Sequence, residues 1–166
     1  MQAVLEQARS MDVPDVVSHE GKYLTFVLCD EEYGIDIMKV REIIGIMDIT
    51  LVPKLPDYVK GVINLRGKVI PVVDLRLKFG FQEVKHTNAT CIIVVDVREK
   101  LMGILVDTVS EVIDISSKDL EPTPDIGNDI CTEIFLGMAK VKNKVKILLD
   151  IDKVLDNEDV PHSTRL

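Results

Sequence analysis

The stretch Gly61-Val62-Ile63-Asn64-Leu65-Arg66-Gly67-Lys68 is the first place to look for chemistry, because glycines ahead of a lysine are how a backbone loop cradles phosphates. The details do not fit. Five residues separate the glycines instead of four, Val69 stands where a Ser or Thr would hold magnesium, and the intervening residues are strand-like. Gly61 and Gly67 read instead as hairpin-end positions, where a positive φ is often needed. His19, His86 and His162 have no partner at i+4 or in strand alternation, so neither a metal site nor a histidine dyad is indicated. Asp36, Asp96, Asp107 and Asp150 lie in or beside strand segments and are the candidates for a carboxylate pair in acid–base work. Acids so placed more often cap, turn or solubilise. With no nucleophile, metal cluster or phosphate loop, the chain offers no catalytic constellation; no cofactor and no metal are expected.

Cys29, Cys91 and Cys131 are odd in number and widely spaced, which favours reduced thiols over a disulfide framework or a zinc site. The formal charge of -8 and the aromatic content of 4% argue against a nucleic-acid binder, which needs a basic groove and stacking platforms. Only Lys140, Lys142, Lys144 and Lys146 form a basic run, and their alternation with Val141, Val145 and Ile147 reads as the wet side of a hairpin. No apolar run approaches the roughly 20 residues of a membrane span, and Met1–Gln7 lacks the basic-then-apolar layout of a secretory leader. The expectation is a cytoplasmic protein with no direct membrane insertion. A hydrolase built on an unrecognised carboxylate pair would lose a pH-dependent activity when one aspartate was removed, but no substrate suggests itself.

What remains is surface for binding. Arg66 stands beside a turn, and its planar guanidinium suits a protein interface. Val40 and Glu42 form a second candidate patch with their repeat-two counterparts, Val109 and Glu111; if two similar halves pack about an approximate two-fold axis, these segments would meet in a groove.

The elements that must position these residues are mostly strands, since the hydrophobic period is two along most of the chain. Leu24, Phe26 and Leu28 fall on one side of a strand, and Ile35 and Ile37 continue the pattern after a turn at Asp30-Glu31-Glu32. Further strands are expected at about 62–66, 68–73, 91–97, 101–106, 108–115, 137–142 and 144–149. Asp74 and Asp150 read as N-caps of short helices, the first stopped by Gly80.

The second half slides back onto the first. Tyr33–Ile44 lies over Met102–Ile113 with glycine, isoleucine, valine, glutamate and isoleucine in register; Gly61–Val69 lies over Gly137–Val145, and Asp74 then falls on Asp150. A repeat of this size holds about five strands, enough for one small closed barrel without exposed edges. The fold class is therefore all-β: two pseudo-repeat five-stranded small barrels packed as one unit, with short helices after Asp74 and Asp150. The repeats run over about 22–79 and 91–155 within a domain at 22–156, flanked by tails at 1–21 and 157–166 that are expected to be mobile.

Glu32-Tyr33-Gly34-Ile35-Asp36-Ile37, Val40-Arg41-Glu42-Ile43, Pro56–Gly67, Val69-Ile70-Pro71-Val72-Val73-Asp74-Leu75-Arg76 and Gly103-Ile104-Leu105-Val106-Asp107 resemble the CheW family in order and spacing. The resemblance implies two interlocked Src-homology-3-like barrels. It also implies a non-catalytic adaptor between the cytoplasmic tip of chemoreceptors and the regulatory domain of the histidine kinase CheA, recruited to membrane-associated receptor arrays and needing no cofactor. The family's receptor-facing acid and arginine correspond to Glu42 and Arg66, and Val40, Gly61, Val109 and Val112 occupy neighbouring motif positions. The motifs do not single out kinase-facing residues.

Overall fold

The structure, a computed structural model, describes residues 19–121 and 134–155; the tail assignments at 157–166 and most of 1–21, together with Cys131 and His162, lie outside them. Eleven strands are present among the described residues: β1 Gly21–Leu28, β2 Glu31–Asp36, β3 Val40–Gly45, β4 Val59–Leu65, β5 Lys68–Asp74, β6 Cys91–Val97, β7 Lys100–Val106, β8 Thr108–Ile115, β9 Leu120–Glu121, β10 Phe135–Val141 and β11 Lys144–Leu149. Two helices of one turn follow the expected caps, α1 Leu75–Lys78 and α2 Ile151–Val154. Asp74 accepts from the Arg76 amide at 2.9 Å, and Asp150 from the Asp152 amide at 3.2 Å.

The strands form two sheets, β8-β1-β2-β11-β10-β9 and β3-β6-β7-β5-β4. In each, the chain leaving the first strand comes round to pair with the far end: β9, downstream of β8, pairs with β10, and Thr50, downstream of β3, bridges to Val62 of β4. Both sheets thus close into barrels. Neither barrel is built from one repeat. Barrel one takes the hairpin β1–β2 from the first repeat and β8, β9, β10 and β11 from the second, while barrel two takes β6–β7 from the second and β3, β4 and β5 from the first. The exchange is sealed by two parallel junctions, β11 with β2 and β5 with β7.

Burial follows from this arrangement. Ile63, Ile70, Val72, Ile92, Val94 and Leu105 fill barrel two, and Tyr23, Ile115, Ala139 and Leu148 fill barrel one. A third and larger cluster, including Leu24, Phe26, Leu28, Ile93, Val95 and Val97, spans both barrels. The run Cys91-Ile92-Ile93-Val94-Val95 is apolar without alternation because β6 is buried on both faces, Ile92 and Val94 inward and Ile93 and Val95 toward the other barrel. Leu75, Ile151 and Val154 bring both helices into the shared cluster.

Four two-residue hairpin turns, at Cys29-Asp30, Arg66-Gly67, Arg98-Glu99 and Lys142-Asn143, place both residues at positive φ, the turn whose twist matches paired strands. The first turn is therefore one residue earlier than the acidic run suggests, with Glu31 and Glu32 already in β2. Gly67 has its expected turn role. Gly61 instead lies inside β4 at a bulge opposite Val72, at φ +142, where a Cβ would collide with the Thr50 carbonyl oxygen. β4 begins at Val59, earlier than its alternation indicates, and β3 had been visible only through its match to β8.

Candidate functional site

Arg66 and Glu42 are brought together at the mouth of barrel two. Arg66 occupies the first position of the β4–β5 turn at φ 51, a conformation that costs a side-chain-bearing residue free energy unless the turn is held by other contacts. Asn64 supplies one, its side-chain oxygen accepting from the Gly67 amide at 2.9 Å. From this fixed turn the guanidinium reaches β3: Nη1 donates to Glu42 Oε2 at 2.9 Å, and Nη2 donates to Oε1 of the same carboxylate. The hydrogen bond from Arg66 and its charge hold the Glu42 carboxyl below the usual carboxylate range. The arginine side chain is 70% exposed and the glutamate 27%, so the paired guanidinium and carboxylate present a fixed charged surface to solvent.

A bulge in β3 shapes the rest of the rim. The register with β6 shifts between Val40 and Glu42, leaving Arg41 as the extra residue. Consecutive strand residues ordinarily point to opposite faces; here Arg41 and Glu42 line the same depression, a concavity of 690 Å³ with Leu65, Ile70, Val94 and Leu101 at its apolar base. Arg41 Nη2 donates to Asp96 Oδ2 at 2.7 Å, and this bond draws the Asp96 carboxyl down as well. Lys68 and Glu99 complete the rim. Hydrophobic alternation gives no sign of Arg41 as a rim residue, because a bulge leaves no mark in it; Glu99 carries no motif signal, and Asp96, a candidate for a carboxylate pair by sequence, is instead the partner of Arg41.

The other four candidates are placed differently. Val40 is 0% exposed, inside the cluster shared by the barrels. Gly61 is buried at its bulge. Val109 and Val112, on β8, are half-buried against the shared cluster and do not line the depression. The starts of β3 and β8 thus converge on the shared core, while Glu42 and Arg66 belong to the open end of one barrel.

The four aspartates considered for acid–base work are each engaged. Asp36 accepts from the Met38 amide at 2.9 Å, Asp96 pairs with Arg41, Asp150 caps α2, and Asp107 receives Arg76 Nε and Nη2 at 2.6 Å each. Among the described residues no His, Cys, Asp and Glu group could hold a metal ion, and no helix is long and apolar enough to cross a membrane. Cys29 and Cys91 are free thiols. Lys140, Lys142 and Lys144 are exposed, as the wet side of a hairpin requires. Lys146 departs from that expectation: it is 5% exposed, its ammonium bonded to Glu32 of β2, because the junction between β11 and β2 covers it.

Comparison with known proteins adds an independent line. Residues 22–159 match the family model described as "CheW-like domain". A Chemotaxis protein CheW from Klebsiella aerogenes is 40% identical over 139 residues, covering 84% of this chain and 84% of the relative. One from Rhizobium meliloti is 38% identical over 136 residues, covering 82% and 88%. The solved structure of the scaffolding protein TtCheW from Thermoanaerobacter tengcongensis superposes with a TM-score of 0.76 at 35% identity, covering 84% of this chain and 95% of that one.

Proposed function

The chain belongs to the CheW-like domain family, and from that membership we propose that it is a non-catalytic chemotaxis scaffold joining chemoreceptors to the histidine kinase CheA. In this reading the module at 22–156 binds the cytoplasmic receptor tip through the mouth of barrel two, with other surfaces left for the CheA regulatory domain. The protein works in the cytoplasm and is recruited to receptor arrays at the membrane. Receptor state would reach the kinase through the geometry of the two contacts, without a bond being made or broken.

The observation that carries the receptor assignment is the Arg66–Glu42 fork at the rim of an apolar depression. Such a site combines an apolar floor, where a helical tip can bury side chains, with fixed charges that set orientation. Glu42 and Arg66 are the contact residues. Val40 and Gly61, both buried, act by shaping β3 and β4 behind them, and Val109 and Val112 by bracing β8 at the shared core. The test is a pull-down of the purified protein with a soluble receptor cytoplasmic fragment and with the CheA regulatory domain, separately and together. Binding to each and a ternary complex are expected; a folded protein that captures neither overturns the reading.

A further inference from the structure

The two parallel junctions are copies of one another. β5 meets β7 with Val72 opposite Gly103, and β11 meets β2 with Leu148 opposite Gly34. Both junctions place a glycine opposite the incoming side chain: a Cβ on Gly34 would crowd the facing Leu148 Cδ2 at 3.1 Å, whereas one on Gly103 would sit at an ordinary 3.4 Å from the facing Val72 Cγ2 and crowd Ile92 of β6 at 2.8 Å instead. With backbone pairing and shape so similar, these contacts give β2 little reason to choose β11 of the other repeat over β5 of its own.

The charges around the junctions are not copies. Two positions before Leu148 and Gly34, Lys146 faces Glu32 and bonds to it, with the lysine side chain 6% and the glutamate 23% exposed. The corresponding positions in barrel two hold Ile70, inside its interior cluster, and Leu101, partly buried against that cluster. On the other side of each junction, a residue just past the hairpin pairs with the second residue after the capping aspartate. Lys39 Nζ donates to Asp152 at 2.8 Å in one case, and Arg76 donates to Asp107 at 2.6 Å in the other. Lys39 and Asp107 fall one residue apart in the repeat alignment, and the polarity is reversed between the pairs.

We infer that these side chains select the exchange of hairpins between the repeats. If each hairpin entered the barrel of its own repeat, Lys39 would face Arg76 and Asp107 would face Asp152. Glu32 would be laid against Ile70, and Lys146 against Leu101. Two attractions become repulsions, and a compensated pair, in which Lys146 is buried and Glu32 partly covered, becomes two charges set against apolar side chains without partners. Of the two arrangements, only the exchanged one sets each of these charges against an opposite charge.

The full chain can be recoded to ask for the opposite. K39D, D107K, E32L and L101E together keep the composition and charge while satisfying every group only in the within-repeat arrangement. Spin labels at Glu31 and Val145 report the exchanged junction, and labels at Glu31 and Val69 the within-repeat one. All three sites are exposed, and the native cysteines are replaced by serine. In the parent the 31–145 distance is the short one; in the recoded chain the 31–69 distance becomes short. A recoded chain that folds with the parent distances overturns the inference. If it does not fold, the eight-site variant that adds R76D, D152R, I70K and K146I restores the exchanged code in mirror polarity. That variant should recover the short 31–145 distance and raise the folded-to-unfolded ratio in urea by about tenfold or more; failure to recover overturns the inference.

Discussion

Arg66, at a turn between β4 and β5, donates both terminal nitrogens to the carboxylate of Glu42 on β3, 24 residues away in sequence. The pair closes one side of the barrel-two mouth, and because it is exposed and screened by solvent it adds little to stability. Arg66→Ala and Glu42→Ala should leave the far-ultraviolet circular dichroism and thermal midpoint within a few degrees of the parent. Affinity for a receptor fragment, read by calorimetry, should fall about tenfold or more. Unchanged affinity in a folded variant would remove the pair from the binding site.

Val40 and Gly61 should behave in the opposite way. Val40→Ala empties part of the shared cluster and is expected to cost about 2 kcal/mol. Gly61→Ala forces a side chain into left-handed backbone against Thr50 and should cost roughly 1–3 kcal/mol. Urea unfolding reads both losses directly. Binding by the fraction that remains folded should be close to normal, whereas a large affinity loss at full folding would make either residue a contact.

Acid should weaken the protein through its paired carboxylates. Burial alone would raise the Asp107 carboxyl, but the Arg76 side chain and the Cys29 amide outweigh it and hold it below its ordinary value. A carboxyl lowered in the folded state binds its proton more readily in the unfolded chain, so its stabilisation is present at neutral pH and is lost as pH falls below about 4 through the depressed value. Asp107→Asn should therefore lower stability at pH 7 and flatten its fall below about pH 4. A variant whose urea midpoint keeps the parent's slope in that window would contradict the assignment.

Lys146 offers a test of paired burial. Lys146→Met leaves Glu32 facing a covered junction without its cation, with an expected loss of about 3 kcal/mol. Lys146→Met with Glu32→Leu removes both charges and should recover most of that loss. Equal urea midpoints for the single and double variants would show that the carboxylate finds adequate solvation without the lysine.

Strands, caps and the duplication were readable because each leaves a local trace: alternation in Leu24, Phe26 and Leu28, an acid ahead of each short helix, glycines in register across the repeats. The partition of strands between barrels leaves none, since β2 presents the same alternation whichever repeat supplies its neighbour. Gly61 was recognisable as a position of special backbone, but only the approach of Thr50 from 11 residues upstream reveals why. Arg66 and Glu42 were each identifiable from motif position. Their direct contact, and the addition of Arg41 and Asp96 to the same rim, depend on a bulge that displaces side chains without altering their types.

During synthesis the N-terminal hairpin is made early and its partners late. β1 pairs with β8, and β2 pairs with β11, the last strand of the described fold. A nascent chain that has finished β5 possesses five strands and still cannot close barrel two, which waits for β6 and β7; barrel one waits almost to the end of the domain. Many contacts are therefore distant in sequence, which slows folding, and the apolar faces of the first hairpin stay uncovered while the ribosome is still at work. Neither barrel can close before the strands it takes from the second half have been made.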